Sequence, residues 1–430
     1  MQDAGGWDQL TRGVELPVPD VVTVPELHEV DVALPEADPV ADVAEAAARS
    51  TAQRFAGVVR PGMTVAVGAG SRGLSARVEL LAGTVRGLRA LGAEPFVVPA
   101  MGSHGGGTAD GQRAMLTSLG VTEDAVGAEI RATMDTVVVA RTDDGMPIHL
   151  DTHAAAADAI CCVNRMKPHT CFRGPVESGL TKMAVVGFGK QPGAAQIHAC
   201  GPVEMRDRLL AGVAALRATG RLLGGVASVE GPDGAVVRVE ALGADEMGAA
   251  PEMALSELAR SFVPALPFPV VDVLIVERGG KDISGTTIDP NVTGRFWVHG
   301  LDDPPTPKVA TIVLCDITDV SAGNVLGIGL ADFVPASLAN KIDWAKTYLN
   351  CFTAGPSGVR RSRLPMVLPD TTAAVRVALA MCGRAHDAPK RVVRIASTLH
   401  LQRMWVSEPL LAELPAHVCA TGRTAPGVPG

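Results

Sequence analysis

The residues best suited to chemistry in this chain are histidines and lysines set among glycine turns. The longest such stretch runs Asn164-Arg165-Met166-Lys167-Pro168-His169-Thr170, continues through Glu177-Ser178-Gly179-Leu180-Thr181-Lys182, and ends at His198. Pro168 locks its own φ, so His169 leaves a rigid turn. A second histidine turn, Met101-Gly102-Ser103-His104-Gly105-Gly106-Gly107-Thr108, follows the apolar run Pro95-Phe96-Val97-Val98-Pro99-Ala100, which reads as a buried strand ending in a loop. Imidazole exchanges protons near neutral pH, so His104 and His169 are candidate acid/base residues. Either one alone reads equally as a helix cap or a partner of a neighbouring carbonyl. Two in matched loops at strand ends, where open α/β sheets bind their ligands, point to function.

Three further groups carry candidate chemistry. Val67-Gly68-Ala69-Gly70-Ser71-Arg72-Gly73 follows a strand and opens a helix, so its backbone N–H groups can cradle an anion, with Arg72 as the charged partner. Its Gly68-x-Gly70-x-x-Gly73 spacing matches a dinucleotide fingerprint, but only Glu94 offers the acidic residue expected about 20 positions on, which argues against a nicotinamide dehydrogenase. Lys182 opens the apolar stretch Met183-Ala184-Val185-Val186-Gly187-Phe188-Gly189 and is either a snorkelling side chain or a desolvated, nucleophilic amine. His198, beside Ala199-Cys200-Gly201, is a candidate metal ligand or a structural imidazole. Further on, the polar segment from Glu277 to Arg295 is rich in charge and glycine. There Lys281 and Arg295 can grip a carboxylate or phosphate, and Asp289 and Asn291 can bond hydroxyls; the structural alternative is a solvated loop held by Asp–Arg pairing.

Bulk properties narrow the partners. The 430-residue chain carries a formal net charge of −8 and has no lysine- or arginine-rich block, which argues against a nucleic-acid or anionic-membrane surface and for a small-molecule substrate. There is no basic-then-apolar leader and no run of about 18 apolar residues, so a cytoplasmic protein is expected. The eight cysteines include no Cys-x-x-Cys pair, against a structural zinc site, and are expected to be reduced and mostly buried. Aromatic residues make up only 3%, so the core must be built from small aliphatics.

The elements that position these residues follow a βαβα pattern: strand Thr64 to Val67, helix Leu74 to Leu91, strand Phe96 to Val98, helix Thr108 to Leu119. More strands are expected at Thr136 to Ala140, Ala159 to Val163 and Val226 to Glu230, and helices at Val203 to Ala218 and Asp245 to Ser261. A proline-rich break, Phe262 to Pro269, precedes the apolar strand Val270 to Val276 and marks a hinge. The expected architecture is two-domain α/β: a parallel-sheet N-terminal domain over 1–265, a smaller α/β domain over 266–392, a return segment over 393–421 packing on the N-terminal domain, and a disordered tail over 422–430. The active site is expected in the cleft between the domains.

Together, Gly102-Ser103-His104-Gly105, Lys167-Pro168-His169, Ser178-Gly179-Leu180-Thr181-Lys182 and His198 resemble, in order, the motifs of the lactate racemase family, whose members use a nickel-pincer nucleotide. The resemblance spans most of the chain and is to a divergent branch rather than to lactate racemase itself. It implies a racemase or epimerase that inverts a carbinol centre of a 2-hydroxy acid, or a related polar hydroxy compound, by transient hydride transfer to the cofactor. By matching position, Lys182 would hold the cofactor covalently, His198 would ligate nickel, His104 and His169 would be the paired acid/base residues, and Arg72 would face substrate charge. Ser71, Gly73, Lys281 and Arg295 would contact the cofactor, and cofactor-making enzymes would be partners. Two departures stand out: Gly70-Ser71-Arg72-Gly73 lacks the acidic residue and proline usual around that arginine, and the His169-to-Lys182 interval is longer than in lactate racemase. Other readings of the same residues are a redox-neutral isomerase or elimination enzyme with that cofactor, and a protein that only binds it.

Overall fold

The structure, a computed structural model, describes residues 6–71, 74–170 and 173–429. The chain forms two compact units: one spans Pro35–Val263, and the other joins the chain's start, up to Leu34, to the stretch from Pro264 onward.

The strands, in chain order, are β1 (Glu26–Val32), β2 (Thr64–Ala69), β3 (Glu94–Pro99), β4 (Thr136–Arg141), β5 (Pro147–Asp151), β6 (Ala159–Arg165), β7 (Leu222–Glu230), β8 (Val236–Gly243), β9 (Val270–Gly279), β10 (Lys308–Ile317), β11 (Phe333–Pro335), β12 (Met366–Leu368), β13 (Val392–Ser397), β14 (His400–Val406) and β15 (Val418–Pro426). In the Pro35–Val263 unit a five-stranded sheet has the order β3-β2-β6-β7-β8, parallel from β3 to β7, with β8 antiparallel at the edge. β4 does not join that sheet; it pairs with β5 as a separate antiparallel hairpin.

The central strands are apolar on both faces, as strands covered by helices on each side must be. Val65, Val67 and Ala69 of β2, with Ala159, Cys161 and Val163 of β6, face Phe55 of the helix Val43–Phe55 and Leu80, Leu81, Val85 and Leu88 of the helix Arg77–Ala90. On the opposite face Gly68 makes room for an aromatic ring: a Cβ there would stand 2.6 Å from the Phe188 side chain.

The other unit holds an eight-stranded mixed sheet of order β12-β11-β10-β9-β13-β14-β1-β15. Its strands from β12 to β13 are parallel, and β14, β1 and β15 add antiparallel pairs. Alternate residues separate into two cores, Leu274 and Val276 on one face and Val273 and Ile275 on the other.

Three boundary expectations are corrected here. The first 34 residues do not belong with 35–265, because β1 lies between β14 and β15 and buries Leu27 and Val30 on opposite faces of the eight-stranded sheet. The segment 393–421 packs in the same sheet, since β13 continues the parallel run beside β9 and β14 returns from it. The tail expected to be disordered contributes β15 through Pro426. No helix among the described residues is long and apolar enough to cross a membrane.

Candidate functional site

Three neighbouring parallel strands deliver the candidate residues from the same end of the sheet. β2 ends at Ala69 and leads to Ser71, β3 ends at Pro99 and leads to the His104 turn, and β6 ends at Arg165 and leads to His169. Ala69 pairs in register with both Pro99 and Val163, and β6 runs two residues further to Arg165, so the three loops open at the same carboxyl edge, where α/β sheets bind ligands.

The His104 turn depends on glycine. Gly102, Gly105, Gly106 and Gly107 have φ of 61°, 68°, 69° and 66°, in the left-handed region that a Cβ disfavours. The imidazole Nδ1 of His104 is hydrogen-bonded to the Ser71 hydroxyl, joining the β2 and β3 loops. Gly70, just before, lies against the residue that follows Lys182: a Cβ on it would come within 3.3 Å of Met183 Cε and 3.8 Å of Asn164 Oδ1.

The His169 loop folds back on itself. Lys167 N–H donates to the Ser178 carbonyl at 3.2 Å. Inside this loop the Glu177 carboxylate, 1% exposed, accepts from His169 N–H at 2.7 Å, Gly174 N–H at 3.3 Å and the Arg173 and Arg260 guanidiniums at 3.3 and 3.0 Å. The fold-back ends with Lys182 Nζ 2.6 Å from His169 Nε2. A protonated amine can only donate, so in that state the imidazole accepts at Nε2.

Lys182 closes the short helical turn Leu180–Lys182. That turn is anchored from below by Glu252, a fully buried carboxylate in the first turn of the helix Ala250–Ser261. Glu252 accepts from Thr181 N–H at 2.9 Å, from the Thr181 hydroxyl at 2.5 Å and from Gly248 N–H at 2.7 Å. Asn164 at the end of β6 adds a bond from Nδ2 to the Gly179 carbonyl at 3.0 Å. After Lys182 the helix widens into π-type turns over Met183–Gly187, with Phe188 N–H donating to the Met183 carbonyl, an irregularity that recurs at functional sites. The regular helix Lys190–His198 follows and ends on half-buried His198.

Several sequence candidates are therefore assembled in the Pro35–Val263 unit: Ser71 with His104, and His169 with Lys182. Arg72 and Gly73 lie outside the described residues. In the other unit Lys281 Nζ donates to the Gly285 carbonyl and Asn350 Oδ1, both at 2.8 Å, closing its own loop. Asp289 accepts from Asn291 N–H at 2.9 Å and Nδ2 at 2.8 Å, capping a helical turn.

Arg295 requires correction as a ligand-gripping cation. It is 6% exposed, donates to the carbonyls of Leu330, Val309 and Ala310 at 3.0, 3.1 and 2.8 Å, and pairs with Asp332 at 2.8 Å. Those partners occupy the guanidinium in holding its own unit together.

Glu177, Glu252, Gln112 and Lys190 were not singled out by sequence reasoning. Glu177 stands in the quoted motif stretch without a role, and Glu252 lies 71 residues from its partner Thr181, a contact no local pattern encodes. Lys190 carried one signal, a charge closing a fully apolar run.

No three His, Cys, Asp or Glu side chains converge as a metal-holding group among the described residues. Lys182 brings an amine against the His169 imidazole, and His198 closes the helix Lys190–His198 with its Nδ1 buried.

No protein-family model matches the sequence, and no curated protein matches it. Among solved structures, the lactate racemase apoprotein from Thermoanaerobacterium thermosaccharolyticum is similar with a TM-score of 0.47 at 11% identity, over 90% of this chain and 96% of that one. A protein from Thermotoga maritima is similar with a TM-score of 0.47 at 13% identity, over 76% of this chain and 83% of that one.

Proposed function

We propose that this chain is a nickel-pincer nucleotide-dependent racemase or epimerase that inverts the carbinol carbon of a 2-hydroxy acid or related polar hydroxy compound. The observation that carries the reading is the contact of His169 with Lys182 at 2.6 Å, at the carboxyl edge from which the β3 loop also presents His104. Strands β3 and β6 are separated by β2 alone, so they run roughly 10 Å apart, and the loops that carry the two histidines open from the same edge.

Lys182 would hold the group through its amine, and His198 would ligate the metal. When bound, the group supplies reversible hydride acceptance, chemistry that side chains cannot perform. The rest falls to the chain. One of His104 and His169 takes the proton from the substrate hydroxyl, and the other serves the opposite stereoisomer, so that a single site works in both directions. The Ser71 hydroxyl bonded to Nδ1 orients the His104 ring. Glu177 fixes the backbone of His169 through its N–H, so the residue's place in the loop holds whatever becomes of Lys182.

The test is to produce the protein beside the cofactor-making enzymes and assay stereoisomers of small 2-hydroxy acids by chiral chromatography, with His104→Ala and His169→Ala alongside. Interconversion abolished in both variants while cofactor is retained supports the reading. Loaded wild type that dehydrates its substrates points to elimination, and loaded wild type inert towards every hydroxy acid points to a cofactor-binding protein.

A further inference from the structure

Lys190 is fully buried, yet it lies in the left-handed backbone region with φ +51°, which residues bearing a side chain rarely adopt. Its ammonium donates to the Pro99 carbonyl at the end of β3 and to Gln112 Oε1 at 3.0 Å, and forms an ion pair with Asp151 Oδ2 at 3.0 Å. Asp151 is also fully buried, and its other oxygen caps the helix Thr152–Ala156 by accepting from His153 and Ala154 N–H. The ion pair is thus tied into the fold at both ends. Burial pushes the Lys190 amine down, and the carboxylate of Asp151 opposes the shift.

Gln112 passes this arrangement to the histidine turn. Its side chain is fully buried in the helix Ala109–Ser118. Because Lys190 claims the amide oxygen, the amide NH2 must face the other way, and there it donates to the Gly102 carbonyl at 2.9 Å and the His104 carbonyl at 3.2 Å. A further bond, Gly102 N–H to the Gly187 carbonyl at 3.1 Å, joins the same turn to the π-type segment after Lys182. Lys190 stands eight positions beyond Lys182 along that helical run.

We infer that Lys190 and Gln112 are positioning residues: the buried Asp151–Lys190–Gln112 chain fixes the His104 turn relative to the helical segment that carries Lys182. The glycine-rich turn has little rigidity of its own, and this polar chain supplies it. The consequence for turnover rests on the function proposed above, whereas the consequence for His104 itself does not.

Gln112→Glu separates the parts, because the carboxylate still accepts from Lys190 but repels the two carbonyls that Gln112 holds. Lys190→Met is the blunter variant, and it leaves Asp151 buried without its partner. The primary measurement is the rate at which diethylpyrocarbonate modifies His104 in the cofactor-free protein, read by peptide mass spectrometry with His169 as internal reference. The expected result for Gln112→Glu, at wild-type circular dichroism, is a rise of about fivefold or more at His104 and no change at His169. In cofactor-loaded protein the same variant is expected to lose about 10- to 100-fold in kcat with KM and cofactor content unchanged. A His104 rate within twofold of wild type overturns the inference. An accelerated His104 rate in a protein whose loaded wild type turns over no hydroxy acid upholds the positioning role and removes the proposed function instead.

Discussion

Lys182 Nζ and His169 Nε2 are 2.6 Å apart, so the residue that would anchor a cofactor also orients a candidate acid/base. Acylating the amine would replace an ammonium with three donors by a nitrogen with one. His169 would then depend on Glu177, whose carboxylate holds its backbone N–H at 2.7 Å. The buried Glu177 and Glu252 thus flank the pair, one fixing the histidine and the other the turn before the lysine.

Ser71 is expected to matter through His104. In Ser71→Ala the imidazole loses its partner at Nδ1, while Lys182 and His198 are untouched. A fall of about 10- to 100-fold in kcat is predicted, with KM and nickel content unchanged, measured by steady-state kinetics in both directions. Loss of nickel instead would place Ser71 at the cofactor.

Glu252→Ala leaves Thr181 N–H and the Thr181 hydroxyl without their acceptor in a fully buried site, and half-buried Gly248 loses the acceptor of its N–H. Unsatisfied buried donors cost about 1–3 kcal/mol each before relaxation, so a net loss of about 3 kcal/mol is predicted in denaturant titrations of the Pro35–Val263 unit. Cofactor loading should fall with it, since the Leu180–Lys182 turn loses its anchor. Wild-type stability in this variant would show that Glu252 is not the anchor.

Gly68→Ala should be destabilising by about 1–3 kcal/mol, because its Cβ would meet the Phe188 ring at 2.6 Å in a closely packed layer. Thermal denaturation measures this directly. Phe188→Leu combined with it should recover part of the loss, as expected for residues that share one space.

Burial pushes the thiols of Cys161 and Cys315 up to about 12, and that of Cys162 well above its usual value, with Cys161 and Glu252 adding to the effect. The fold therefore keeps these protons at a pH where the unfolded chain, with thiols near 9.0, releases them. Stability is unaffected by these groups below about pH 9 and declines from there towards about pH 12, by at most about 1.4 kcal/mol per thiol per pH unit. At pH 8 iodoacetamide should label exposed Cys419 first and leave Cys161, Cys162 and Cys315 unmodified until the chain unfolds.

Much of the Pro35–Val263 unit was legible because its signals are local. Apolar runs mark β2, β3 and β6, and the loops after them carry Ser71, His104 and His169. β1 was missed because Glu26-Leu-His-Glu-Val-Asp-Val32 is short and strongly charged, and its place in the sheet depends on partners some 370 residues away. Arg295 misled for the opposite reason: a charge among glycines resembles a ligand grip, and only the long-range carbonyls of Leu330, Val309 and Ala310 reveal a structural tie. Gln112, Lys190 and Glu252 act through contacts distant in sequence, which composition and periodicity do not encode.

The most direct test of the central claim is intact-protein mass spectrometry with parallel nickel analysis, on protein produced beside the cofactor-making enzymes. Wild type should carry a nucleotide-sized adduct and stoichiometric nickel, Lys182→Ala should lose both, and His198→Ala should keep the adduct while losing nickel. Wild type with neither adduct nor nickel, under conditions that load a known lactate racemase, would contradict the assignment of Lys182 and His198 and the proposed function with it.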